Sequence, residues 1–563
     1  MSSNRKPEKF LGVITKGSLG KGLQVRIRTH LSLERIQTGQ FVAIECEGVR
    51  FFGLLTDISL EATTDSILLD PPDEDTSSLV REVLHGVFTF GDAHVDNRLA
   101  LYEGEAAPRP VRSVPSHFTP VYIAEENDFD QVFGSENLAE GGTSFAIGKP
   151  LDMEIDICLD LEKFVERSNG IFGKSGTGKS VLTRLILAGL IRGNICSNLI
   201  FDMHNEYGEG SQAENKSGFM KGLKPLFGSR VMVWAVRDQR PGSNGHHAPA
   251  RVATDGELII GMNQIEVEDI LLLRQELDLN QTAAESAYLL RDKLGENWIS
   301  NLLKMDSDEV REIAERTGAN VQSVSALKRK LEAIRRLPFV EESWKLTNLK
   351  DIVENLARGK HVIVQFGSSD SLLGYMLVAN ILTRLLHDEY RQKVEKYNRT
   401  RNVADKPRRV MITIEEAHKF LTPEVAGQTI FGTIAREMRK YFVTLLVVDQ
   451  RPSSIDSEVM SQIGTRIVAL INDERDIEAV FTGVSGSSGL KTVLSSLDSR
   501  QQALLLGHAA PMPVVLRTRP YDEAFYKQIT AGMGAFSSSV SWEDLSEEEQ
   551  EEKILEEEKD LYG

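Results

Sequence analysis

A glycine-rich stretch at residues 171–192, IFGKSGTGKSVLTRLILAGLIR, constrains the fold of this chain more than any other part. It contains Gly173-x-x-x-x-Gly178-Lys179-Ser180, the G-x-x-x-x-G-K-[ST] pattern, between a short apolar strand and an amphipathic helix. Glycines let backbone N–H groups face a phosphate without a Cβ in the way, and the helix N-terminus adds partial positive charge. The stretch therefore predicts a P-loop that binds the phosphates of a nucleotide.

The residues of this predicted loop have different chemical roles. Lys179 is expected to bridge the β- and γ-phosphates of ATP, and the Ser180 hydroxyl is expected to ligate Mg²⁺. ATP and Mg²⁺ are thus the expected cofactors. The backbone supplies the rest of the phosphate cradle, which we assign to Gly173, Lys174, Ser175, Gly176, Thr177 and Gly178.

A second apolar strand carries a pair of acids at its carboxyl end. In RRVMITIEEAHKFL, residues 408–421, the apolar run is followed by Glu415 and Glu416. The first acid is expected to hold Mg²⁺ and its water, and the second to polarise the water that attacks the γ-phosphate. The usual pair is Asp-Glu, so Glu415 is one methylene longer than expected. The alternative is a solvated acidic turn.

A third apolar strand, in FVTLLVVDQRPSSID, is followed by Gln450. A side-chain amide at this place could sense the γ-phosphate. Arg436 and Arg439 precede the strand, and either could reach a nucleotide or simply be a solvated surface residue. The pattern adds candidates to the nucleotide site without choosing between the two arginines.

Three possible ligands alternate after a further buried strand. FDMHNEYGEG, residues 201–210, places Asp202, His204 and Glu206 at every second position. They could form a metal site, a polar strand end, or part of the nucleotide site. No second histidine lies nearby in the sequence, which argues against zinc.

The spacing of apolar runs predicts an α/β fold. Buried runs of four to six residues, separated by longer segments, are typical of a parallel sheet covered on both faces. Short strands with turn signals open the chain instead, as in a small β-barrel. We predict a barrel over residues 1–115, a linker over 116–150, a P-loop core over 151–535 with a helical insertion at about 264–356, and an acidic tail over 536–563.

Composition excludes several classes of protein. Hydrophobic content of 41% and charged content of 26% are those of a globular protein. The N-terminus has no signal peptide pattern, and no apolar run is long enough to span a bilayer, so we expect a cytoplasmic protein without a membrane partner. Three widely spaced cysteines indicate reduced thiols.

Net charge alone does not decide whether this chain binds nucleic acid. Residues 541–563 contain eleven acids and two lysines, so the tail carries half of the chain's net charge of −18. We expect this tail to be a solvated extension, with a docking strip for a basic partner as the alternative. The rest of the chain neither supports nor excludes a local basic channel.

The helical insertion contains a motif that could read DNA. In REIAERTGANVQSVSALKRKL, Ala314, Gly318 and Val324 have helix-turn-helix spacing, followed by the basic run at 328–330. A helix pair with a glycine turn and one solvated basic face explains the same residues equally well. The basic residues could also line a channel or a subunit contact.

These motifs together resemble those of the HerA family of hexameric DNA translocases, in the FtsK–HerA branch of P-loop ATPases. The resemblance covers nearly the whole chain. DMHNEY is similar to a family motif, D-x-H-x-E-Y, and ITIEEAHKFL resembles a Walker B strand that normally reads D-E-A-H. The first strands resemble the family's small barrel, the HAS barrel, and QALLLGHAAPMPVVLRTRP resembles its closing strands.

The resemblance implies a RecA-like P-loop ATPase core with an N-terminal small β-barrel and an inserted helical subdomain. It assigns Asp202, His204 and Glu206 to the ATP site, where the two acids help to order Mg²⁺ and water. It places Arg439 on the γ-phosphate and gives Arg167 as an arginine that reaches a neighbouring subunit's nucleotide.

The implied function is that of an ATP-driven, ring-shaped homo-hexamer that translocates double-stranded DNA. Hydrolysis would be coupled to unwinding or processing of DNA with a nuclease such as NurA, the family's common partner. An alternative is an ATP-binding hexameric scaffold for an effector of an antiviral defence complex. A motor that moves protein or pumps DNA at a membrane is a third, disfavoured by the lack of a spanning segment.

Overall fold

A computed structural model of the chain describes residues 9–28, 33–64, 66–69, 84, 88–212, 219–238, 254–344, 347–367, 371–426, 430–484, 488–498 and 501–533. The predicted acidic tail lies outside this range. The chain divides into two compact units. The first comprises the residues up to Phe164 with Ile171–Leu182 and Gly464–Pro520, and the second comprises Val165–Gly170, Thr183–Ile463 and the residues from Tyr521 onward.

The first unit begins with a closed antiparallel barrel. Its strands are β1 (Phe10–Ser18), β2 (Gly22–Ile27), β3 (Phe41–Cys46), β4 (Val49–Ala62), β5 (Thr89–Tyr102), β6 (Arg109–Pro110) and β7 (Pro120–Ile123). Six of them pair in the order β2-β1-β7-β3-β4-β5, and β5 pairs with β2 to close the ring, with β6 beside β5. Alternate side chains point inward and form one apolar core, which includes Leu11, Val25, Val42, Ile44, Leu55, Val95 and Val121.

The barrel continues past the boundary at residue 115 that the sequence suggested. Strand β7 pairs with both β1 and β3, so the ring is closed only when Pro120–Ile123 is included. Pro120 stands at the first residue of this strand, a position where proline is tolerated in a sheet. The segment 116–150, which reads as a linker, thus contains a barrel strand, and a helix and a further strand follow.

The remaining strands belong to the rest of the chain. They are β8 (Ser144–Lys149), β9 (Ile157–Asp160), β10 (Asn169–Phe172), β11 (Ser197–Asp202), β12 (Gly210–Gln212), β13 (Phe219–Lys221), β14 (Val231–Val236), β15 (Gly256–Leu258), β16 (Ile260–Gly261), β17 (Val340–Glu341), β18 (His361–Gln365), β19 (Val410–Glu415), β20 (Val443–Asp449), β21 (Thr465–Val468), β22 (Gln502–Gly507) and β23 (Val514–Thr518). In the first unit, β21, β22, β23, β8 and β9 pair in that order and antiparallel.

The second unit is built on a parallel sheet, as the apolar runs predict. Its strands lie in the order β15-β14-β18-β11-β19-β20, and every pairing is parallel. All six residues of β11 and of β19 are buried, which is typical of a sheet covered on both faces. Because parallel strands run in one direction, their carboxyl ends share one edge of the sheet, and this edge carries the polar residues.

Helices separate the strands of the chain. They are Ser66–Leu69, Glu126–Phe133, Leu161–Val165, Lys179–Arg192, Leu223–Phe227, Val267–Leu272, Gln281–Leu294, Trp298–Lys304, Ser307–Thr317, Val321–Arg335, Thr347–Ala357, Leu372–Thr400, Pro423–Ala426, Ile430–Glu437, Ser457–Gln462, Glu474–Val480, Ser488–Ser495 and Glu523–Thr530. Within the described parts of the chain, none of them is long and apolar enough to cross a membrane.

The helix-turn-helix spacing in the insertion corresponds to two packed helices. Helix Ser307–Thr317 ends at Gly318, which has a left-handed φ of 71°, and Asn320 caps helix Val321–Arg335. Two basic side chains of the second helix are engaged within the insertion. Lys328 donates to a backbone carbonyl, and Lys330 forms an ion pair with Asp278 at 3.0 Å.

The remaining basic residue of the run, Arg329, is exposed. The structure therefore accounts for the spacing by packing and capping. The DNA-reading interpretation and the alternative of a channel or subunit contact stay predictions.

A buried histidine in the second unit predicts a pH-dependent stability. Burial, with the positive charge of Arg408 second, lowers the pKa of His361 to about 3, and Asn198 lies 2.8 Å from its Nδ1. The ring stays neutral in the folded state but is protonated in the unfolded state below about pH 6.5. Folding stability therefore falls as the pH drops from about 6.5 towards 3.

We expect this linkage to remove about 2 kcal/mol of stability between pH 7 and pH 5. The measurement compares unfolding of the wild type and His361→Gln at both pH values. The wild type should lose more stability on acidification than the variant, because glutamine does not titrate. Equal losses would show that His361 is not buried in its neutral form.

Candidate active site

The predicted P-loop adopts the required backbone in the first unit. It follows β10, and helix Lys179–Arg192 begins at its end. Gly176 and Gly178 have φ values of 77° and 91°, which favour glycine over residues with a Cβ. The Phe172 carbonyl, at the end of β10, accepts the Ala469 N–H at 2.8 Å, which ties the start of the loop to the strand beside it. The local sequence thus forms the anion-binding loop that it predicts.

The side chain of Lys179 folds back over this loop. Its Nζ donates to the backbone carbonyl of Lys174 at 2.7 Å, and the Thr177 hydroxyl donates to the same carbonyl at 2.7 Å. Lys174 itself is fixed through its N–H, which donates to the Leu470 carbonyl at 3.1 Å. The ammonium group is therefore held beside the residues whose backbone would surround a phosphate.

The second unit carries a row of polar residues at the carboxyl edge of its own sheet. Strands β18, β11, β19 and β20 are parallel neighbours. Their last residues are Gln365, Asp202, Glu415 and Asp449, and all four are buried. Open α/β sheets bind ligands at this edge. The arrangement brings together residues that lie up to 247 positions apart, of which only Asp202 and Glu415 were expected from the sequence.

Asp202 fastens the loop that follows its own strand. One carboxylate oxygen accepts the N–H of Glu206 at 2.8 Å, and the other accepts the N–H of Tyr207 at 3.0 Å. Gly208 and Gln365 donate to the second oxygen as well, both at 3.3 Å. Burial raises the pKa of Asp202, and these donated hydrogen bonds oppose the rise. Both oxygens are therefore occupied within the protein.

The other members of the D-x-H-x-E-Y motif point in different directions. His204 is exposed, whereas Tyr207 is fully buried. Glu206 is partly exposed and contacts Arg184, a fully buried residue of the helix after the P-loop. The Arg184 guanidinium donates to the Glu206 carbonyl at 2.8 Å and to the Ser211 hydroxyl at 2.6 Å, and it lies 3.8 Å from the Glu206 carboxylate.

Glu415 is enclosed by two tyrosines. Tyr207 donates its hydroxyl to Oε1 of Glu415 at 2.8 Å, and Tyr375 donates to the Glu415 backbone carbonyl at 3.1 Å. Oε2 is buried and has no hydrogen-bond partner among the residues that the structure describes. Burial first, and the negative charge of Asp202 second, raise the pKa of Glu415 to about 8.

Glu416 follows in an uncommon backbone conformation. Its φ of 49° lies in the left-handed region, and such outliers cluster at functional sites. Gln450 donates its amide to Oε1 of Glu416 at 3.3 Å, while Nδ1 of His418 lies 3.6 Å from Oε2. Asp449 accepts the His418 N–H at 2.7 Å and lies 3.0 Å from its Nδ1. The structure thus brings Glu416 and Gln450 together, as candidates from two different strands.

Two of the three candidate arginines, Arg439 and Arg167, are less well defined. Arg439 lies in the short 3-10 helix Met438–Tyr441, and its side chain is outside the described part of the structure. Arg167 lies in the turn before β10, where its carbonyl accepts the Asn169 amide at 2.8 Å. Its Nε is buried and has no hydrogen-bond partner among the described residues.

Sequence reasoning missed several residues of this arrangement. Tyr207, Arg184, Gln365 and Asp449 all contact a selected residue or its loop. Gln365 and Asp449 could have been found, because each ends an apolar run. No local signal marks Arg184 among the residues of the helix after the P-loop. Across the described ranges, no three His, Cys, Asp or Glu side chains are grouped so that they could hold a metal ion.

Comparison with known proteins identifies one matching family model and several relatives. Residues 145–386 match a family model described as the central domain of helicase HerA. The chain is similar to a DNA double-strand break repair helicase HerA of Sulfolobus acidocaldarius, with 24% identity over 87% of this chain and 90% of the relative. A protein of the same description from Saccharolobus solfataricus is 24% identical over 86% of this chain and 88% of its own length.

Among solved structures, VirB4 of Thermoanaerobacter pseudethanolicus aligns with 67% of this chain and 97% of its own, with 14% identity and a TM-score of 0.42.

Proposed function

We propose that this chain, which belongs to the HerA family of P-loop ATPases, uses the hydrolysis of ATP to move double-stranded DNA. The P-loop supports the nucleotide-binding part of this proposal, and the nearly full-length similarity to repair helicases supports the part that concerns DNA. The observation that carries the chemistry is Glu416, an acid at a strand end with a left-handed backbone and a partner amide on Gln450.

We assign the P-loop to the binding of ATP and the strand-end acids to its hydrolysis. Lys179 and the backbone of residues 173–178 bind the phosphates, and Ser180 offers a hydroxyl to the metal. Glu416 accepts a proton from the attacking water, and Gln450 responds to the γ-phosphate through its contact with Glu416. In this assignment Asp202 and Glu206 act through the loop that they hold, because their oxygens are engaged by N–H groups and by Arg184.

Magnesium fits the residues present. Mg²⁺ keeps several waters and is held through few protein ligands and the phosphates, so it needs no cage of three carboxylates. Ser180 and Glu415 are the residues that would hold it, and the buried Oε2 of Glu415 is an acceptor without a partner in the described structure. When bound with ATP, the ion neutralises charge on the phosphates.

The proposed assembly is a homo-hexameric ring. A nucleotide site completed by an arginine of the next subunit requires head-to-tail contacts that close on themselves. Arg167 and Arg439 are the candidates for that arginine. Within such a ring we propose that translocation serves DNA processing by a nuclease partner.

The test of the motor is the response of ATP turnover to DNA. Duplex DNA should raise the kcat of the purified protein several-fold, and rising salt should weaken this stimulation, because binding to phosphates releases counterions. The Lys179→Ala variant provides the background rate. A rate of ATP turnover that duplex DNA does not change would contradict the motor function and favour the alternative, a scaffold for a defence effector.

A further inference from the structure

The acid at position 415 is longer than the aspartate that usually stands there, and this length has a structural counterpart. One more methylene gives the side chain one more torsion, so its carboxylate can occupy more positions. In the structure, Oε1 of Glu415 accepts the hydroxyl of Tyr207 at 2.8 Å. This hydrogen bond removes the added freedom and leaves Oε2 as the oxygen without a partner in the described structure.

The donor of this hydrogen bond is itself held rigidly. Tyr207 is fully buried, and its N–H donates to Asp202 at 3.0 Å. The preceding residue is tied down as well, because its carbonyl accepts from the buried guanidinium of Arg184 at 2.8 Å. A phenol on a backbone fastened at both of these points offers its hydroxyl in one place.

We infer that Tyr207 is a positioning residue, whose hydroxyl orients Glu415 so that Oε2 is presented to Mg²⁺ or its water. The inference rests on the proposed ATPase chemistry. It gives the D-x-H-x-E-Y loop a role through its tyrosine, in addition to its acids. A tyrosine that merely filled the core would pack through its ring, and its hydroxyl would be dispensable for the metal.

Tyr207→Phe removes only the hydroxyl, and Tyr375→Phe is its matched control. Both tyrosines are buried, and both donate to Glu415, but Tyr375 donates to the backbone carbonyl and not to the carboxylate. The measurement is the binding of a fluorescent ATP analogue, titrated with Mg²⁺, alongside the Mg²⁺ dependence of ATP turnover. Binding without Mg²⁺ gives the contribution of the P-loop alone.

We expect Tyr207→Phe to raise the Mg²⁺ midpoint about three- to tenfold, the effect of losing one ordinary side-chain hydrogen bond. Affinity for the analogue without Mg²⁺ should stay unchanged, and Tyr375→Phe should leave the midpoint where it is. An unchanged midpoint in Tyr207→Phe, or an equal shift in both variants, would overturn the inference.

A double-mutant cycle with Glu415→Asp separates positioning from folding. The shorter acid withdraws the carboxylate by roughly 1.5 Å, so it no longer reaches the Tyr207 hydroxyl. Tyr207→Phe should therefore have no further effect on the Mg²⁺ midpoint in the Glu415→Asp background. If Tyr207→Phe acts by destabilising the fold, which a lower Tm would show, its effect should persist in the Glu415→Asp background. An additive shift of the Mg²⁺ midpoint in the double variant would therefore overturn the inference.

The same titration distinguishes this inference from the proposed motor. If the wild type binds the analogue with Mg²⁺ but hydrolyses no ATP in the presence of duplex DNA, the proposed motor function is wrong. The Mg²⁺ midpoints of analogue binding still decide the role of Tyr207. If turnover responds to DNA and the midpoints of all variants agree, the motor stands and Tyr207 is not a positioning residue.

Discussion

Lys179→Ala should weaken ATP binding by at least about a hundredfold. The ammonium of Lys179 is held beside the backbone of the P-loop, and in the nucleotide complex it would exchange the Lys174 carbonyl for phosphate oxygens. Each hydrogen bond to a charged group is worth about 1.5–3 kcal/mol, and losing two of them with the charge corresponds to a hundredfold or more. Titration with a fluorescent ATP analogue in the presence of Mg²⁺ measures the loss.

Lys163→Ala is the control for this experiment. Lys163 is an exposed lysine of the same unit, 3.3 Å from Asp160, and exposed ion pairs of this kind contribute little. Its removal should leave the affinity unchanged. The Tm of both variants shows whether either is folded, since Lys179 also contacts the Lys174 carbonyl. Retained binding by a folded Lys179→Ala would show that the loop at 173–180 is not the phosphate site.

Local motifs could be predicted from the sequence because their determinants are neighbours in the chain. The P-loop needs glycines at fixed offsets between a strand and a helix, and Gly176 and Gly178 have the positive φ that this requires. The parallel sheet was equally accessible, since strands buried on both faces read as continuous apolar runs. The closure of the barrel was not, because Pro120 resembles a terminator and its strand pairs with β1, more than one hundred residues earlier.

The contacts of the site were largely out of reach of the sequence. Asp202, Gln365 and Glu415 each end a strand, but only the pairing of β11 with β18 and β19 makes them neighbours. The family resemblance implied that Asp202 helps to order Mg²⁺ and water, and this stays a prediction. In the structure both of its oxygens accept N–H groups, mostly from its own loop, so its contacts are those of a loop anchor.

The contact between Tyr207 and Glu415 could not be predicted from the sequence either. Its partner Glu415 lies 208 positions away, and a tyrosine after a polar loop has no pattern that names a partner. The departure from Asp to Glu at position 415 was visible in the sequence, whereas the hydroxyl that fits the longer side chain was not. A glutamate in place of the usual aspartate thus indicates that a hydrogen-bond donor nearby could fix the longer side chain.

Glu416→Gln should keep ATP bound and stop its turnover. The amide has nearly the shape of the carboxylate but cannot accept a proton from water, and general-base catalysis contributes about 10²–10⁴-fold. Its oxygen can still accept the Gln450 amide, which lies 3.3 Å from Oε1 in the wild type, so this hydrogen bond survives the change. We therefore expect kcat at saturating ATP and Mg²⁺ to fall by at least about a hundredfold, while affinity for the fluorescent analogue stays near that of the wild type.

Glu424→Gln makes the same chemical change at an exposed glutamate in helix Pro423–Ala426 and should leave both quantities unchanged. The pair separates loss of one negative charge from loss of the base. It also separates Glu416 from Lys179, because Lys179→Ala fails at binding and Glu416→Gln fails after it. A Glu416→Gln protein that hydrolysed ATP at the wild-type rate would remove Glu416 from the reaction and leave the left-handed backbone at this position without a catalytic explanation.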